Sequence, residues 1–545
     1  MKKPYGLLWI LVLLSAALMS LPWLVPHCGA LALIAFLPLL TADRVADQNG
    51  VRHFWIWHYS TFVLWNAATT FWVANATLGG AVFAILANSL QMSLVFGLFR
   101  FSKKRLGGVL PYVFLAAAWI AWERWYLVSA EISWPWLVLG NAFARSIRLA
   151  QWYEFTGTLG GSLWVWASNL SLFGLMVAVL EGGFFRWKRG ARFCAAMGAI
   201  LVVALPIAAS AHLWHHWQEE SEGSVDVVIA QPNFDPYEKF RSVSREEQNS
   251  ILLGQYRESL ASMAADSTWD GLLVAPETFT QDIVLGMVPS SRTWQDFNAF
   301  LQGYPKADLL FGAATYEIFE RRSSPSILAR PYGDGWIQGH NSAFVTDASG
   351  REEVFHKSKL VVGTEMTPYP KFFVPIDNWL GKKLGTGSLM GRDMGQDSIS
   401  TLNVLSGGRK IPFGCAICYE SVYPEYCTGY VKEGAEFMTI ITNDAWWGDT
   451  PGYRQHLSYA SLRAIELRRD IARCGNTGIS AFINQRGEIG SQSSWWQRET
   501  LEGMVNLASG QTFFVRNGDI AGRACTLMFL LLLAALLVRL FVRKP

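Results

Sequence analysis

Residues 413–425 read FGCAICYESVYPE, with Cys415 and Cys418 three apart ahead of a Tyr-Glu pair. A CxxC can be a redox pair, half of a metal site, or one nucleophile beside a packing cysteine. If IPFGCAIC is one strand, alternation puts Ile411, Phe413, Cys415 and Ile417 on one face and Gly414, Ala416 and Cys418 on the other. Cysteines facing opposite ways cannot pair unless the strand breaks between them, and a redox CxxC normally opens a helix. No second CxxC and no His pair stands at zinc spacing, so neither a metal nor a cofactor is expected. Cys415 reads as core, a common fate of free cysteine. Cys418, at the strand end before Tyr419 and Glu420, is the candidate nucleophile.

A thiol at neutral pH is mostly protonated and needs a base, a neighbouring cation, or both. His340, His356 and His456 carry no local signature of a Cys–His pair. Glu277, in VAPETF, closes an apolar strand and could act as the base; Lys357, in VFHKSKLV, could supply the cation. Each has a plainer reading when taken singly, a solvated strand-end carboxylate and a surface lysine.

These residues need a scaffold that brings distant strand ends together. Residues 215–519 have ordinary globular composition and repeat one theme: a short β-rich run closed by polar residues or glycine, as in VDVVIAQPN, GLLVAPETFT, EFMTIITNDAW and GISAFINQRGEI. Helical patterns such as YRQHLSYASLRAIELRRDIAR lie between several of them. Buried strands alternating with helices predict an α/β domain, which places its chemistry where strands end.

The remainder of the chain is different. Of 545 residues, 51% are hydrophobic and 16% charged, against about 25% charged in a soluble protein. MKKPYGLLWILVLLSAALMS alone could pass for a secretory signal, but further apolar segments follow almost at once. Spans are predicted near 6–25, 28–42, 54–76, 79–100, 109–128, 160–180, 193–214 and 522–542, the second being short for a ~20-residue span. Lys and Arg cluster at 2–3, 44–52, 100–105, 186–192 and 543–544, while loops on the other side such as PWLVPH and ATLG lack them. Eight spans then put both termini in the cytoplasm and residues 215–519 outside it. Glu123 and Arg124, near the outer end of span five, are expected to pair or to meet head groups. A net charge of +3 gives no case for nucleic acid.

Taken together, Glu277 in APET, Lys357 in FHKSKLV and Cys418 in CAICYES resemble the Glu-Lys-Cys triad of the nitrilase superfamily. The sequence is most similar to the superfamily's membrane-embedded family, the apolipoprotein N-acyltransferases. KSKLVVGTEMTP matches that family's lysine, Leu-Val and Gly-x-Glu pattern and adds Glu365; Cys418-Tyr419-Glu420 matches its Cys-Tyr-Glu, and NDAWWGD its Asn-Asp-Ala-Trp loop. WERW, WPWLVLGN and QWYEFTGTLGGSLWVWASN extend the likeness into the membrane part. The chain departs from the pattern in two places. Phe240 stands where the family commonly has Trp, and VVGTE stands where it has Pro-Phe-Gly-Glu; both are expected to line the acyl pocket or its lid.

The resemblance implies about eight transmembrane helices plus an α/β nitrilase-like domain, an αββα sandwich. Residues 1–214 would hold helices one to seven, 215–519 the extracytoplasmic catalytic domain and 520–545 the last helix. It further implies a ping-pong acyltransferase of the bacterial inner membrane, with the catalytic domain on the periplasmic side. Glu277 would be the base, Cys418 the nucleophile and Lys357 the oxyanion cation. Glu365, Tyr419, Glu420 and Asn341 would support them, and Trp446 and Trp447 are lid candidates. The implied donor is a phospholipid, with phosphatidylethanolamine expected; diacylated apolipoproteins are the implied acceptors, and a monomer is expected. A membrane-tethered nitrilase-type amidase, with water as acceptor, is the alternative.

Overall fold

The structure is a computed structural model that describes residues 4–239, 241–263 and 266–541; Phe240 lies outside the described residues. Helical segments stand at each expected span: Tyr5–Leu24, Gly29–Leu33 running on to Leu37–Gln48, Trp55–Thr70, Leu78–Lys103, Leu110–Val128, Tyr153–Leu180, Arg189–His216 and Ile520–Phe541. Among the described residues six stretches are long and apolar enough to cross a membrane: Tyr5–Leu24, Gly29–Gln48, Leu78–Lys103, Tyr153–Leu180, Arg189–His216 and Ile520–Leu540. Trp55–Thr70 is outside that set: its 16 residues cover about 24 Å at ~1.5 Å per residue, short of a ~30 Å hydrocarbon core. Leu110–Val128 is also outside it and carries Glu123 and Arg124 near its end.

Packed aromatic rings fill the middle of the bundle. Phe36 lies 4.2 Å from Trp166 and 5.6 Å from Trp119 between centroids, and Phe62 lies 5.5 Å from Trp119. Trp119 then donates its indole N–H to Glu123 at 3.0 Å, and the Leu139 amide donates to the same oxygen at 2.8 Å. Glu123 therefore does not pair with Arg124, whose Nε faces Asp519 at 3.6 Å. A buried carboxylate is held here by neutral donors, and the arginine belongs to the start of the last helix.

The helix Tyr153–Leu180 starts earlier than its apolar run because it is kinked. Gly157 sits at φ 63°, and a Cβ there would come within 2.3 Å of the Phe514 ring. Left-handed backbone and a ring against the chain both require glycine. At the opposite end of the bundle the basic loops converge through ion pairs. Arg44 meets Glu181, Arg100 meets Asp43 at 2.9 Å and Asp47 at 2.6 Å, and Lys103 meets both aspartates.

Between the last two helices lie two stacked sheets. The first runs Glu499–Asn506, Ser224–Gln231, Gly271–Val274, Asp308–Phe319, Gly335–Thr346, Arg330–Tyr332, with Thr280–Val284 and Glu353–His356 paired at its sides. The second runs Ile489–Gln492, Ala481–Ile483, Ile471–Gly475, Phe437–Thr442, Arg409–Ile417, Leu402–Ser406. Their central strands are parallel. Val227, Ile229, Leu272 and Val274 from one sheet and Phe413, Cys415, Ile417 and Ile440 from the other form a single buried core. Helices Arg245–Ser262 and Arg292–Leu301 cover the outer face of the first sheet through Leu252, Tyr256, Phe297 and Leu301. The result is the expected αββα arrangement.

Helix Pro451–Leu467 joins the two halves. All of it but Pro451 and Arg454 is buried, with Leu457, Ala460 and Ala464 in the sheet core and Tyr459, Leu462 and Ile465 in the core of the membrane bundle. Gln455 is the hub on the bundle side. Its Oε1 accepts from the indoles of Trp136 at 2.7 Å and Trp72 at 3.2 Å, and its Nε2 donates to the Thr69 carbonyl at 3.1 Å.

Candidate active site

Three of the residues lie just past the carboxyl ends of parallel strands, where the pairing stops and side chains are free to converge, while Lys357 follows the antiparallel strand Glu353–His356. Glu277 follows Gly271–Val274, Cys418 follows Arg409–Ile417, and Asn443 follows Phe437–Thr442. Below Glu277 the neighbouring strand comes so close that a Cβ on Gly312 would lie 2.6 Å from the Glu277 Cα. The strand of Cys418 ends one residue sooner than alternation suggested. Cys418 takes φ 52° and opens a tight turn, Cys418–Val422, so the turn, and not strand parity, aims its sulfur. Cys415 is buried in the sheet core, where burial pushes its thiol up to about 12.

Lys357 is buried between two carboxylates, its Nζ 3.1 Å from Glu277 and 2.8 Å from Glu365. Asn341 bridges the same two oxygens with its amide, donating at 2.8 Å to each, while its own carbonyl accepts from the Lys357 N–H at 2.8 Å. The second oxygen of Glu277 accepts from the Asn443 amide at 3.1 Å, and that of Glu365 from the Val361 amide at 2.7 Å. Burial alone would lower the Lys357 ammonium, but Glu277 and Glu365 outweigh it and hold it well above the ordinary lysine value. The Cys418 thiol is held well above its ordinary value by burial and then by the Glu277 charge, with Lys357 opposing both. Burial and the Glu277 charge thus favour the thiol over the thiolate at Cys418, with the Lys357 cation working the other way.

Glu420 and Tyr419 hold the turn. Glu420, fully buried, accepts from the Ser358 amide at 2.7 Å, the Ile417 amide at 2.8 Å and the Tyr426 hydroxyl at 2.8 Å. One carboxylate thereby ties the cysteine turn to the lysine loop. Tyr419 donates to the Ser133 carbonyl at 3.1 Å, fastening the turn to a loop of the membrane half.

Trp447 and Trp446 separate. Trp447 packs against Trp72 at 4.7 Å, His456 at 5.5 Å and Trp136 at 5.6 Å, and its carbonyl accepts from Asn75 at 2.7 Å. It is an anchor onto the membrane half. Trp446 is exposed and meets Tyr237 edge-on at 5.2 Å. A second exposed apolar face is carried by helix Pro370–Leu384, on the excursion that follows Lys357: Phe372, Ile376 and Trp379, at helical spacing, face outward.

Two further groups are placed here that motif reading passed over. Lys239 is buried, donates to the Thr278 carbonyl at 2.7 Å, and is lowered to about 7 by burial and then by Arg245, against the pull of Glu277. His456 lies under Cys418, its Nε2 3.1 Å from the Cys418 carbonyl oxygen and its Nδ1 2.9 Å from Asp444, which is also bound by Arg473 at 2.6 Å. Ligand atoms of Cys418, Asp444 and His456 lie within 4.8 Å of one another, a spacing a metal ion could bridge. Here the Asp444 carboxylate is already engaged by Arg473 and His456, and the set reads as a support for the cysteine turn. The one local signal for it is that Arg473 interrupts the short apolar run IARC.

Residues 15–171 match the model of the apolipoprotein N-acyltransferase N-terminal domain, and residues 314–513 match that of carbon-nitrogen hydrolase. Glu277 lies N-terminal to the second match. The apolipoprotein N-acyltransferase of Chlorobaculum tepidum is 26% identical, over 96% of this chain and 95% of its own length. That of Geobacter metallireducens is 26% identical over 95% and 93%, and that of Pseudomonas syringae pv. tomato 28% over 87% and 88%. Among solved structures, Saccharomyces cerevisiae Nit3, a nitrilase-superfamily protein 13% identical, aligns over 53% of this chain and 93% of its own with a TM-score of 0.36.

Proposed function

The chain is a member of the apolipoprotein N-acyltransferase family, and from that premise we propose that it transfers an acyl chain from a phospholipid to the N-terminal amine of diacylglyceryl-cysteine on lipoproteins. Glu277 takes the Cys418 proton as the sulfur attacks the ester carbonyl carbon. Lys357 lies where it can balance the negative charge growing on the carbonyl oxygen, an interaction of about 3 kcal/mol in comparable sites. As the ester C–O bond breaks, Glu277 returns the proton to the leaving oxygen; lysophospholipid departs and a thioester remains on Cys418. The acceptor's α-amine, with an ordinary pKa near 8, then attacks that carbonyl. Glu277 takes a proton from nitrogen, the C–S bond breaks, and the proton returns to sulfur.

The observation that carries this reading is the buried Lys357 clamp beside Cys418 on a turn fastened to the membrane half. The thioester has to outlast the wait for its amine, so water must be kept away. The exposed Trp446 and the outward Phe372, Ile376 and Trp379 are suited to reach into lipid and cover the site. Phosphatidylethanolamine as donor, a monomeric state, and eight spans in a bacterial inner membrane with the catalytic domain on the periplasmic side complete the proposal. The convergence of the basic loops at the end of the bundle away from the site supports that orientation.

The test is to give the purified full chain an acyl-labelled phospholipid with and without a diacylated lipopeptide. Label should sit on wild-type protein as a hydroxylamine-sensitive thioester, be absent from Cys418→Ala, and pass to the lipopeptide amine. Free fatty acid as the main product in the presence of lipopeptide would favour the hydrolase alternative, and an active Cys418→Ala would sink the mechanism.

A further inference from the structure

A cavity of about 200 Å³ lies between the last turn of Leu110–Val128, the kinked start of Tyr153–Leu180, the start of Pro424–Lys432 and the residues leading into Ile520–Phe541. Glu277, Lys357, Cys418, Glu365 and Asn341 are not among its walls. One wall is apolar, formed by Leu127, Val128, Leu159 and Phe514. Another is cationic. Lys359 lines the cavity with its ammonium 5.3 Å and 5.8 Å from the ring centres of Tyr423 and Tyr426, which line it too. Among the described residues no carboxylate lies within ion-pair distance of that ammonium. The third wall is acidic, with Glu425 and Asp519. Asp519 is 3% exposed; its Oδ1 accepts from the Gly522 amide at 2.7 Å, while its Oδ2 makes no hydrogen bond among the described residues and faces the Arg124 Nε at 3.6 Å. One Glu425 oxygen takes the Asp519 amide at 3.3 Å.

A half-buried ammonium over two aromatic faces has lost hydration with only the Glu420 charge, beyond ion-pair distance, to offset it, and a ligand that supplies an anion relieves the cost. The acids across the cavity favour a ligand that also carries a cation. The apolar wall continues onto two helices of the bundle, so the ligand's remainder is hydrocarbon. The volume suits a headgroup rather than a whole lipid, with the chains left to follow the helices. We propose that this cavity seats a second, non-reacting phospholipid of the ammonium-headgroup class, its phosphate on Lys359, its ammonium at Glu425 and Asp519, and a chain along Leu127 and Leu159. Because Lys359 is two residues from Lys357 and its amide donates to Glu420 at 3.2 Å, the bound lipid braces the loop that carries the active-site lysine. This seat stands apart from the transfer chemistry and does not depend on it.

The experiment uses the full chain as Cys418→Ala, so binding is read with no thioester formed and a failed acyl-transfer assay leaves it untouched. The protein is placed in phosphatidylglycerol nanodiscs doped with a phosphatidylethanolamine carrying a diazirine on one chain, then irradiated and digested. Cross-links are expected in peptides covering 120–130 and 153–162. They should fall about tenfold when Lys359→Met or Leu159→Trp is added, the latter filling the cavity while leaving the lysine. Thermal unfolding of each variant establishes that it is folded, and Glu425→Gln serves as a third arm. Unchanged cross-linking at these peptides in folded Lys359→Met overturns the seat. Equal labelling by a diazirine phosphatidylglycerol overturns the ammonium assignment, and displacement by excess inorganic phosphate overturns the lipid in favour of a bare phosphate site.

Discussion

The Cys418 thiol sits between opposing charges, and its titration reports on both. A thiol raised by burial and by Glu277 carries little thiolate at neutral pH, so alkylation by iodoacetamide should begin at higher pH than for an ordinary cysteine. Glu277→Gln removes a negative neighbour and should move that onset to lower pH, although turnover is lost with the base. Lys357→Met removes the cation and should move the onset upward, with kcat falling on the order of 10²–10³. A pH profile of alkylation that is the same in all three proteins would mean these groups do not face the sulfur. His456 is expected to act through the backbone of the cysteine turn. His456→Ala should lower kcat about tenfold or more through misplacement of Cys418 with KM little changed, and should leave the alkylation onset where it is. A shift of that onset would instead make His456 a proton acceptor for the thiol. Glu277, Lys357 and Cys418 were legible from sequence because each closes a strand within a dense motif. Lys239, Asp444 and Arg473 were not, because a charged residue in one sequence reads as solvated until the fold shows it buried and paired.

At the scale of elements, helix Pro451–Leu467 is buried on the sides that face both halves, and Gln455 makes the polar part of its contact with the bundle. Gln455→Leu keeps the volume but leaves the Trp136 indole without its acceptor, while Trp72 keeps the Thr69 carbonyl at 2.9 Å. Unsatisfied buried donors cost about 1–3 kcal/mol each, so a clear fall in thermal stability in detergent is expected, and an unchanged midpoint would show the contact to be dispensable. The pattern YRQHLSYASLRAIELRRDIAR gave the helix as far as Leu467 but not the strand that begins at Ile471, nor the helix's setting, since burial on both sides looks in sequence like a mixture of polar and apolar residues with no clean stripe. The kink at Gly157 escaped for a related reason: the apolar run continues smoothly through it, and only the Phe514 ring pressed against the backbone makes glycine necessary there. The helix Trp55–Thr70 was read as longer than it is because the apolar composition carries on past Thr70 into a separate short turn.

For the whole molecule, the basic loops and the catalytic sheets occupy opposite ends of the helical bundle. A membrane-impermeant thiol reagent applied to cells should therefore modify a single cysteine introduced on the exposed strand Ile489–Gln492, and should spare one introduced at exposed Lys104. Labelling with the reverse pattern would overturn the orientation. The alternation of Lys- and Arg-rich loops is the sequence ground for this expectation, because topology is set by charge at the ends of spans rather than by packing. What it could not carry was how the halves meet, since that depends on individual contacts such as Thr158 with Glu466 at 2.6 Å and Arg468 with Glu154 at 2.7 Å.

That shared helix has a consequence for dissection of the protein. Excised as residues 215–519, the sheets would keep Pro451–Leu467 but lose the bundle residues that cover Tyr459, Leu462 and Ile465, and Arg468 and Glu466 would lose Glu154 and Thr158. The excised piece should be a sticky, poorly soluble fragment rather than a working soluble hydrolase. The bundle is therefore more than a tether: it supplies part of the wall without which the catalytic fold is unfinished.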